Sequence, residues 1–378
     1  MVAAAPAGGP MRILLLTTGL KLGGAEQQVA ALARQFIAMG HAVAVVSLTP
    51  GQGVRLPDAA TLLQLQMSKT PMSMAKALWQ LHAFVRKWRP EIIHAHMVHA
   101  NLLARALAAT GNTPPVICTA HSAREGGRLR MLAYRVTDRW ANLTTHVSPQ
   151  GRLAMVSAGA VPAARIAVMP NGIDTSLFRP DPAARSDARA ALGLSGDTRL
   201  LLNVGRLARE KAQTVLIDAF ARLLSEPGTH ARLMIVGEGP ERPALEQRIC
   251  QHRLDGLVTL AGVRHDVPAL LNAADLFVLS SEIEGMPLVV GEALSCGRPV
   301  VSTDAAGVAE LLGECGEIVP RGDVPALAAA MHRALAAGLG SAQEQTSRRQ
   351  RVLSHFSLEA VATEWLACYE HLARTEPD

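Results

Sequence analysis

The sequence predicts an α/β fold made of two doubly wound parallel sheets in series. Three observations lead there. Short apolar runs alternate with longer stretches of helical periodicity, the pattern of a parallel sheet covered by helices. That rhythm runs through the first half of the chain and begins again at residue 198. The chain has 378 residues, 49% of them hydrophobic, which suffices for two cores at the usual domain size of about 100 to 200 residues.

In the first half the expected strands are RILLLTTG (12–19), AVAVVSL (42–48), EIIHAH (91–96), VICTAHS (116–122), THVS (145–148) and RIAVMP (165–170). Between them AEQQVAALARQFIAM, SMAKALWQLHAFVRKW and NLLARALAAT space their apolar residues near the helical period. TRLLLNV (198–204) restarts the series, followed by ARLMIVG, LVTLAG, DLFVLS, PVVST and GEIVP. Pro, Asn, Gly and Asp cluster in MPNGIDTSLFRPDPAARSD (169–187), so the join is expected there. The last stretch, FSLEAVATEWLACYEHLA, reads as a helix whose Trp365, Leu366 and Tyr369 need a surface to cover. The chain thus divides into 11–170, 171–355 and a terminal helix at 356–378.

Composition excludes several classes. The five cysteines, Cys118, Cys250, Cys296, Cys315 and Cys368, are scattered and form no CxxC pair, which favours neither a disulfide framework nor a zinc site and fits a reducing cytoplasm. The ILLL run behind a small-residue leader is shorter than a signal-peptide core of about 7 to 15 residues, and Met11 offers an alternative start. No segment approaches the roughly 20 apolar residues that span a bilayer. A net charge of +5 is modest for this length and does not indicate nucleic acid as a partner. Within residues 124–140, however, Arg124, Arg128, Arg130, Arg135 and Arg139 outnumber Glu125 and Asp138, with Leu129, Leu132, Tyr134, Val136 and Trp140 interleaved. Two readings stay open: a solvated basic face over a packed stripe, or peripheral contact with an anionic membrane or an acidic acceptor.

Chemistry is expected beyond the carboxyl ends of the strands, where doubly wound sheets bind ligands. After DLFVLS comes SEIEGM and then Pro287, which suits a first helical position because its missing N–H has no intrahelical partner there. The free amides of Leu288 and Val289, at the positive end of the helix dipole, form an anion site. Glu284 lies before those amides, and Glu292 five residues past Pro287, about 7.5 Å along the helix axis. A phosphate on the amides would have a carboxylate on either flank, each able to accept hydrogen bonds from hydroxyls, which is the layout of a nucleotide sugar. After TRLLLNV, Gly205 permits a turn in GRLAREK, and Arg206 and Lys211 can aim cations at the same anion. Lys211 is the only lysine after Lys87, which favours a point-charge role on phosphate over a solvated loop charge.

In the first half, GLKLGGAEQQ follows the first strand, and Gly23 and Gly24 allow close approach of a ligand at a helix start. The spacing is neither a dinucleotide fingerprint nor a P-loop, and tight strand-to-helix packing is the alternative. His94, His96 and His99 follow a strand end, but strand alternation lets only His94 and His96 share a face, so a metal site is not favoured. His121, at the end of the next strand, reads as a hydrogen-bond donor at the ligand end, with a buried structural role as the alternative.

Taken together, the E-x7-E pattern of Glu284 and Glu292 in EGMPLVVGEALSCGRPVV, with NVGRLAREK, IVGEGP, PNGID and GGAE upstream, resembles the retaining glycosyltransferase family 4 with the GT-B fold. The likeness covers residues 11 to 372. It implies two Rossmann-like domains facing across a cleft, the first binding acceptor and the second the nucleotide sugar, with the last helix crossing back to the first. It implies that Arg206 and Lys211 contact the donor diphosphate, making a metal or cofactor unnecessary. Glu284 would bind donor sugar hydroxyls and Glu292 the ribose. The backbone of Gly285, Met286, Leu288 and Val289 would surround the distal phosphate and sugar, and Val263 and Arg264 would meet the base. Gly23 and Gly24 would line the phosphate and acceptor side, and His121 would lie near the reacting centre. The donor expected is a UDP-sugar, with a GDP-sugar second, and the acceptor a glycan or lipid-linked intermediate of the cell envelope. Asn171 belongs to the join and is assigned no catalytic part.

Rival readings are weighed on the same residues. A glycoside hydrolase also uses two carboxylates, commonly about 5 to 10 Å apart, but an anion-binding helix start between them, with two cations nearby, favours a phosphorylated donor. A nucleotide-sugar epimerase on this fold and a noncatalytic nucleotide-sugar sensor stay open.

Overall fold

A computed structural model describes residues 9–21, 23–122 and 126–375. The chain divides into two compact units, Met1–Gly172 together with Leu358–Asp378, and Ile173–Ser357.

The first unit holds a seven-stranded sheet of β1 (Arg12–Thr17), β2 (Ala42–Ser47), β3 (Thr61–Gln64), β4 (Ile92–His96), β5 (Val116–Ala120), β6 (Leu143–His146) and β7 (Ile166–Val168). Their order is β3-β2-β1-β4-β5-β6-β7 and every pair is parallel. Alternation along β1 sends Ile13 and Leu15 to one face and Leu14 and Leu16 to the other, and both faces are covered. Helices Gly24–Ala38 and Leu358–Thr375 cover the first face, and helices Pro71–Trp88 and Val98–Ala108 the second. Thr70 caps helix Pro71–Trp88 through its side-chain oxygen, and Pro71 occupies the first turn. The terminal helix buries Trp365, Leu366 and Tyr369, and the Tyr369 ring lies 5.7 Å from that of Phe36.

The second unit holds six parallel strands, β8 (Arg199–Val204), β9 (Ala231–Val236), β10 (Val258–Leu260), β11 (Leu276–Leu279), β12 (Val300–Thr303) and β13 (Glu317–Val319). Their order is β10-β9-β8-β11-β12-β13. In each unit the winding reverses at the middle of the sheet, between β1 and β4 and between β8 and β11. The chain leaves both neighbours of such a switch point in opposite directions, which opens a crevice beyond their carboxyl ends.

Most expected strands are present with their ends trimmed, and three readings need correction. Strand β3 was not expected, because as a half-exposed edge strand its TLLQ carries no buried apolar run. THVS is displaced: β6 ends at His146, and Ser148 caps the following helix by accepting from Gly151 N at 3.2 Å. Pro287 is not the first helical residue but the N-cap of helix Leu288–Ser295, with extended φ and ψ of −74° and 102°.

The basic segment forms helix Arg128–Thr137; Arg124 and Glu125 lie outside the described residues. Tyr134 faces inward and accepts a hydrogen bond from Asn101 Nδ2 at 2.8 Å, while Leu129, 82% exposed, Leu132 and Val136 face outward. Inside this region Arg105 is buried and donates to Asp138, Thr144 and the Tyr134 carbonyl, an ion pair that holds helix Val98–Ala108 to the chain around Asp138.

Candidate active site

In the second unit two loops leave the neighbours of the switch point. The loop after β8 runs through Gly205 and Arg206 to a short turn at Arg209–Lys211. The loop after β11 runs from Ser280 to Pro287 and enters helix Leu288–Ser295. They are tied together: Glu282 N donates to Glu210 O at 2.9 Å, and Ser280 Oγ to Lys211 O at 2.9 Å. Two glycines after β9 let the chain there pack closely against the first of these loops. A Cβ on Gly237, whose φ is +140°, would sit 2.0 Å from Gly205 O, and one on Gly239 would sit 2.1 Å from Leu207 O.

Lys211 Nζ donates to Glu284 Oε1 at 2.5 Å. Glu284 is 9% exposed, so its charge is compensated chiefly by this lysine rather than by water. Arg206, 61% exposed, pairs with Glu210 one helical turn later in sequence. Gly285, Met286, Pro287 and Leu288 are buried, and Val289 is half-buried. Val290 N donates to Pro287 O at 3.1 Å, which leaves the two preceding amides as the free end of the helix. Glu292 is half-buried, and desolvation pushes its carboxyl up to about 8. Val263 is exposed, and Arg264 donates from Nε and Nη2 to Asp266 at 2.8 and 2.5 Å.

Two of the three residues that support this loop escape a reading of the sequence. Gly307, at φ +78°, allows Gly285 O within 2.4 Å of where a Cβ would stand. Thr303 Oγ1 donates to Ser281 O at 2.6 Å. Glu210 was legible in principle, four residues after Arg206; the other two are close only through the β12 connection.

In the first unit Gly23 is the N-cap of helix Gly24–Ala38, in extended conformation, and a Cβ on it would meet Glu26 Oε2 at 2.3 Å. His94 and His96 do share a face, with ring centroids 4.0 Å apart, and both are buried. His94 hydrogen-bonds through Nδ1 to Tyr369 Oη at 2.5 Å and through Nε2 to Thr119 Oγ1 at 2.7 Å. His96 Nδ1 meets His121 Nε2 at 3.0 Å. Burial, with His146 close by, pushes His121 down to about 3, and burial holds His94 and His96 well below the ordinary imidazole value. All three are neutral at physiological pH. Among the described residues no group of three or more His, Cys, Asp or Glu side chains could hold a metal ion.

Residues 22–177 match the family model described as Glycosyltransferase Family 4, and residues 198–337 that described as Glycosyl transferases group 1. The glycogen synthase of Mycobacterium tuberculosis is 30% identical over 413 aligned positions, covering 97% of this chain and 96% of that protein. The chain belongs to glycosyltransferase family 4. This glycosyltransferase is also 33% identical over 227 residues to TuaC of Bacillus subtilis, a protein assigned to teichuronic acid biosynthesis, and there it spans 56% of the relative's length. Its fold is GT-B: sucrose-phosphate synthase from Thermosynechococcus elongatus superposes with a TM-score of 0.85 at 24% identity, over 97% of this chain and 100% of that one. Anabaena HepE, solved with UDP and glucose, superposes with a TM-score of 0.80 at 22% identity, over 96% and 100% of the two chains.

Proposed function

We propose that this glycosyltransferase moves a hexose-type sugar from a UDP-sugar, or else a GDP-sugar, to a hydroxyl of a glycan or lipid-linked acceptor in cell-envelope synthesis, with retention of configuration and without a metal. The observation that carries the donor reading is the Lys211–Glu284 pair beside the free amides of Leu288 and Val289, at the switch point of the second unit. Breaking the anomeric C–O bond leaves increasing negative charge on the departing diphosphate. Lys211, Arg206 and the helix amides are donors already aimed where that charge develops, and each such donor is worth roughly 100- to 1000-fold in rate. Glu284, oriented by Lys211, accepts from donor sugar hydroxyls. Glu292 accepts from the ribose, Gly285 and Met286 line the sugar and distal phosphate, and the backbone of Val263 and Arg264 meets the base. The leaving phosphate takes the acceptor proton on the same face, so no separate nucleophile is needed. In the first unit, Gly23 and Gly24 line the acceptor side and His121 donates near the reacting centre.

The envelope setting is supported by TuaC and by the Escherichia coli relative named UDP-Gal:alpha-D-GlcNAc-diphosphoundecaprenol alpha-1,3-galactosyltransferase, 28% identical over 244 residues, which cover 61% of this chain and 62% of that protein. Among the described residues no helix is long and apolar enough to cross a membrane. Contact with a lipid-linked acceptor would instead run through helix Arg128–Thr137, whose outward Leu129, Leu132 and Val136 stand among Arg128, Arg130 and Arg135.

Thermal unfolding with UDP, GDP, ADP and their sugars tests the donor: a ligand that binds the native state raises the transition. UDP and a UDP-sugar are expected to do so without added metal and in chelator, and no response to any nucleotide diphosphate would overturn the reading. Incubation with glycogen or with diphosphoundecaprenol-linked N-acetylglucosamine then separates the rivals. Free UDP that depends on acceptor marks a transferase, an isomerised donor an epimerase, and binding without turnover a sensor. The anomeric configuration of the product decides retention.

A further inference from the structure

We propose that the first unit carries a glycan subsite at the outer edge of its sheet, between the end of β3 and helix Pro71–Trp88, which takes an acidic sugar residue of the acceptor away from the bond being made. The inference rests on the reading of the acceptor as a glycan and names the class of sugar that one part of it presents. An open cavity of about 550 Å³ lies there, within the range of about 300 to 1,000 Å³ usual for small-molecule sites. Its polar lining comes from Gln64 and Gln66 on one side and from Thr70, Ser73, Lys76 and Gln80 on the other. Gln64 is the last residue of β3, so the cavity lies at the carboxyl end of the sheet, where doubly wound folds bind ligands. β3 is two strand spacings, or about 10 Å, from β1 at the switch point, which separates the cavity from any group bound there.

The lining is polar, and most of it is unengaged. Ser73 N donates to Thr70 Oγ1 at 3.3 Å and Ser73 Oγ accepts from Ser68 N at 2.8 Å, so these two side chains are held. The side chains of Gln64, Gln66, Lys76 and Gln80 have no hydrogen bond or ion pair among the described residues, and Gln80 Oε1 is buried as well. A buried amide oxygen without a partner costs stability, which a ligand donor at that position would offset. Gln66 has a left-handed φ of +51°, which residues with a side chain rarely adopt and which recurs at ligand-binding loops. Three amides, each offering N–H donors and an oxygen acceptor, match neighbouring sugar hydroxyls, which donate and accept in the same way. The one ammonium sets the charge. Residues 59–90 hold Lys69, Lys76, Arg86, Lys87 and Arg89 but no Asp or Glu, and Lys76 suits a carboxylate carried by the sugar. A bare phosphate would draw on several cations, whereas Lys76 alone lines this cavity. Met72 borders it too, and exposed Trp79, one turn beyond Lys76, extends that helix face with an apolar surface for the ring of a following sugar.

Calorimetry on the full chain tests the subsite with two probes: a hyaluronan tetrasaccharide, which alternates glucuronic acid with N-acetylglucosamine, and chitotetraose, which has no carboxylate. The acidic tetrasaccharide is expected to bind, and the neutral one to bind about 10-fold more weakly. Lys76→Met should lower affinity for the acidic probe about 10-fold and remove most of its salt dependence. Gln80→Leu should weaken binding about 3- to 10-fold at an equal or higher melting temperature, because it deletes the unpartnered oxygen. No binding of either tetrasaccharide, equal binding of both, or binding untouched by both substitutions overturns the proposal. A lower melting temperature in Gln80→Leu with unchanged binding also overturns it, since the amide is then structural. Retention on phosphatidylglycerol vesicles that Lys76→Met abolishes, with no glycan bound, would assign this face to lipid instead. The donor reading is decided separately on the same protein: a native chain that binds the tetrasaccharide but shows no thermal response to any nucleotide diphosphate would fail the transferase reading and keep the subsite.

Discussion

Lys211 Nζ lies 2.5 Å from Glu284 Oε1 across 73 residues of sequence, and the two strands that carry these loops are neighbours at the switch point of one sheet. The pair makes each residue necessary to the other. Lys211→Ala would leave Glu284 buried with its charge uncompensated, at a cost of about 1 to 3 kcal/mol in stability. Combining Lys211→Met with Glu284→Gln should restore most of the melting temperature but none of the turnover. Unfolding curves and UDP release on the single and double variants check this; recovery of both together would mean that the pair is structural only.

Arg206 separates the two effects. Its partner Glu210 is one turn away and the arginine is mostly solvated, so Arg206→Ala should change stability by less than about 0.5 kcal/mol. Turnover should nevertheless fall roughly 100- to 1000-fold if the guanidinium meets the departing diphosphate. Normal steady-state rates in a normally folded variant would remove Arg206 from the site.

Glu292 predicts a pH dependence. Burial raises its carboxyl in the folded protein to about 8, above the ordinary carboxylate value, so the folded state holds the proton more tightly than the unfolded one. Stability from this group is therefore full below the ordinary value and is lost as pH rises towards 8. Glu292→Gln, which stays neutral, should melt higher than the native protein at pH 9, each kcal/mol gained appearing as about 2 to 4 °C, and the two should converge at pH 5. Its affinity for UDP should also fall if Glu292 accepts from the ribose. Equal melting curves at both pH values would count against the buried carboxylate.

Gly307 supports the Gly285–Met286 backbone from behind. Gly307→Ala places a methyl 2.4 Å from Gly285 O at a φ of +78°, so the 285–286 backbone must move. The variant is expected to lose about 1 to 3 kcal/mol of stability and at least 10-fold in UDP affinity, read by calorimetry. Tight binding in Gly307→Ala would show that the loop tolerates displacement.

The outward face of helix Arg128–Thr137 predicts salt-dependent binding to anionic vesicles. Leu129→Gln with Leu132→Gln should abolish retention on phosphatidylglycerol vesicles at low salt without lowering the melting temperature, because both side chains are exposed. A native protein that such vesicles do not retain would end the membrane reading.

Much of the fold could be read in advance because buried parallel strands carry continuous apolar runs and covering helices must repeat near the helical period; β1, β8 and β11 show such runs. β3 could not, since an edge strand is free of that demand. In the site, Gly205, Lys211, Glu284 and Pro287 were visible because turns, cations and helix starts have local signatures. What those residues touch was not: Lys211 appeared as a phosphate ligand and Glu284 as a sugar ligand, with nothing to show that each is the other's partner. His94 and His96 could be assigned a common face from strand alternation, but Tyr369, Thr119 and His121 as their partners could not.

The amino-acid order alone thus determined the two doubly wound halves and the approximate place of their strands other than β3, because periodicity and turn chemistry act over a few residues. Tertiary structure alone decided the pairings across 73 residues between Lys211 and Glu284 and across 275 between His94 and Tyr369. Hydrogen bonding and desolvation depend on distance in space, and only the order of strands in a sheet converts distance along the chain into that.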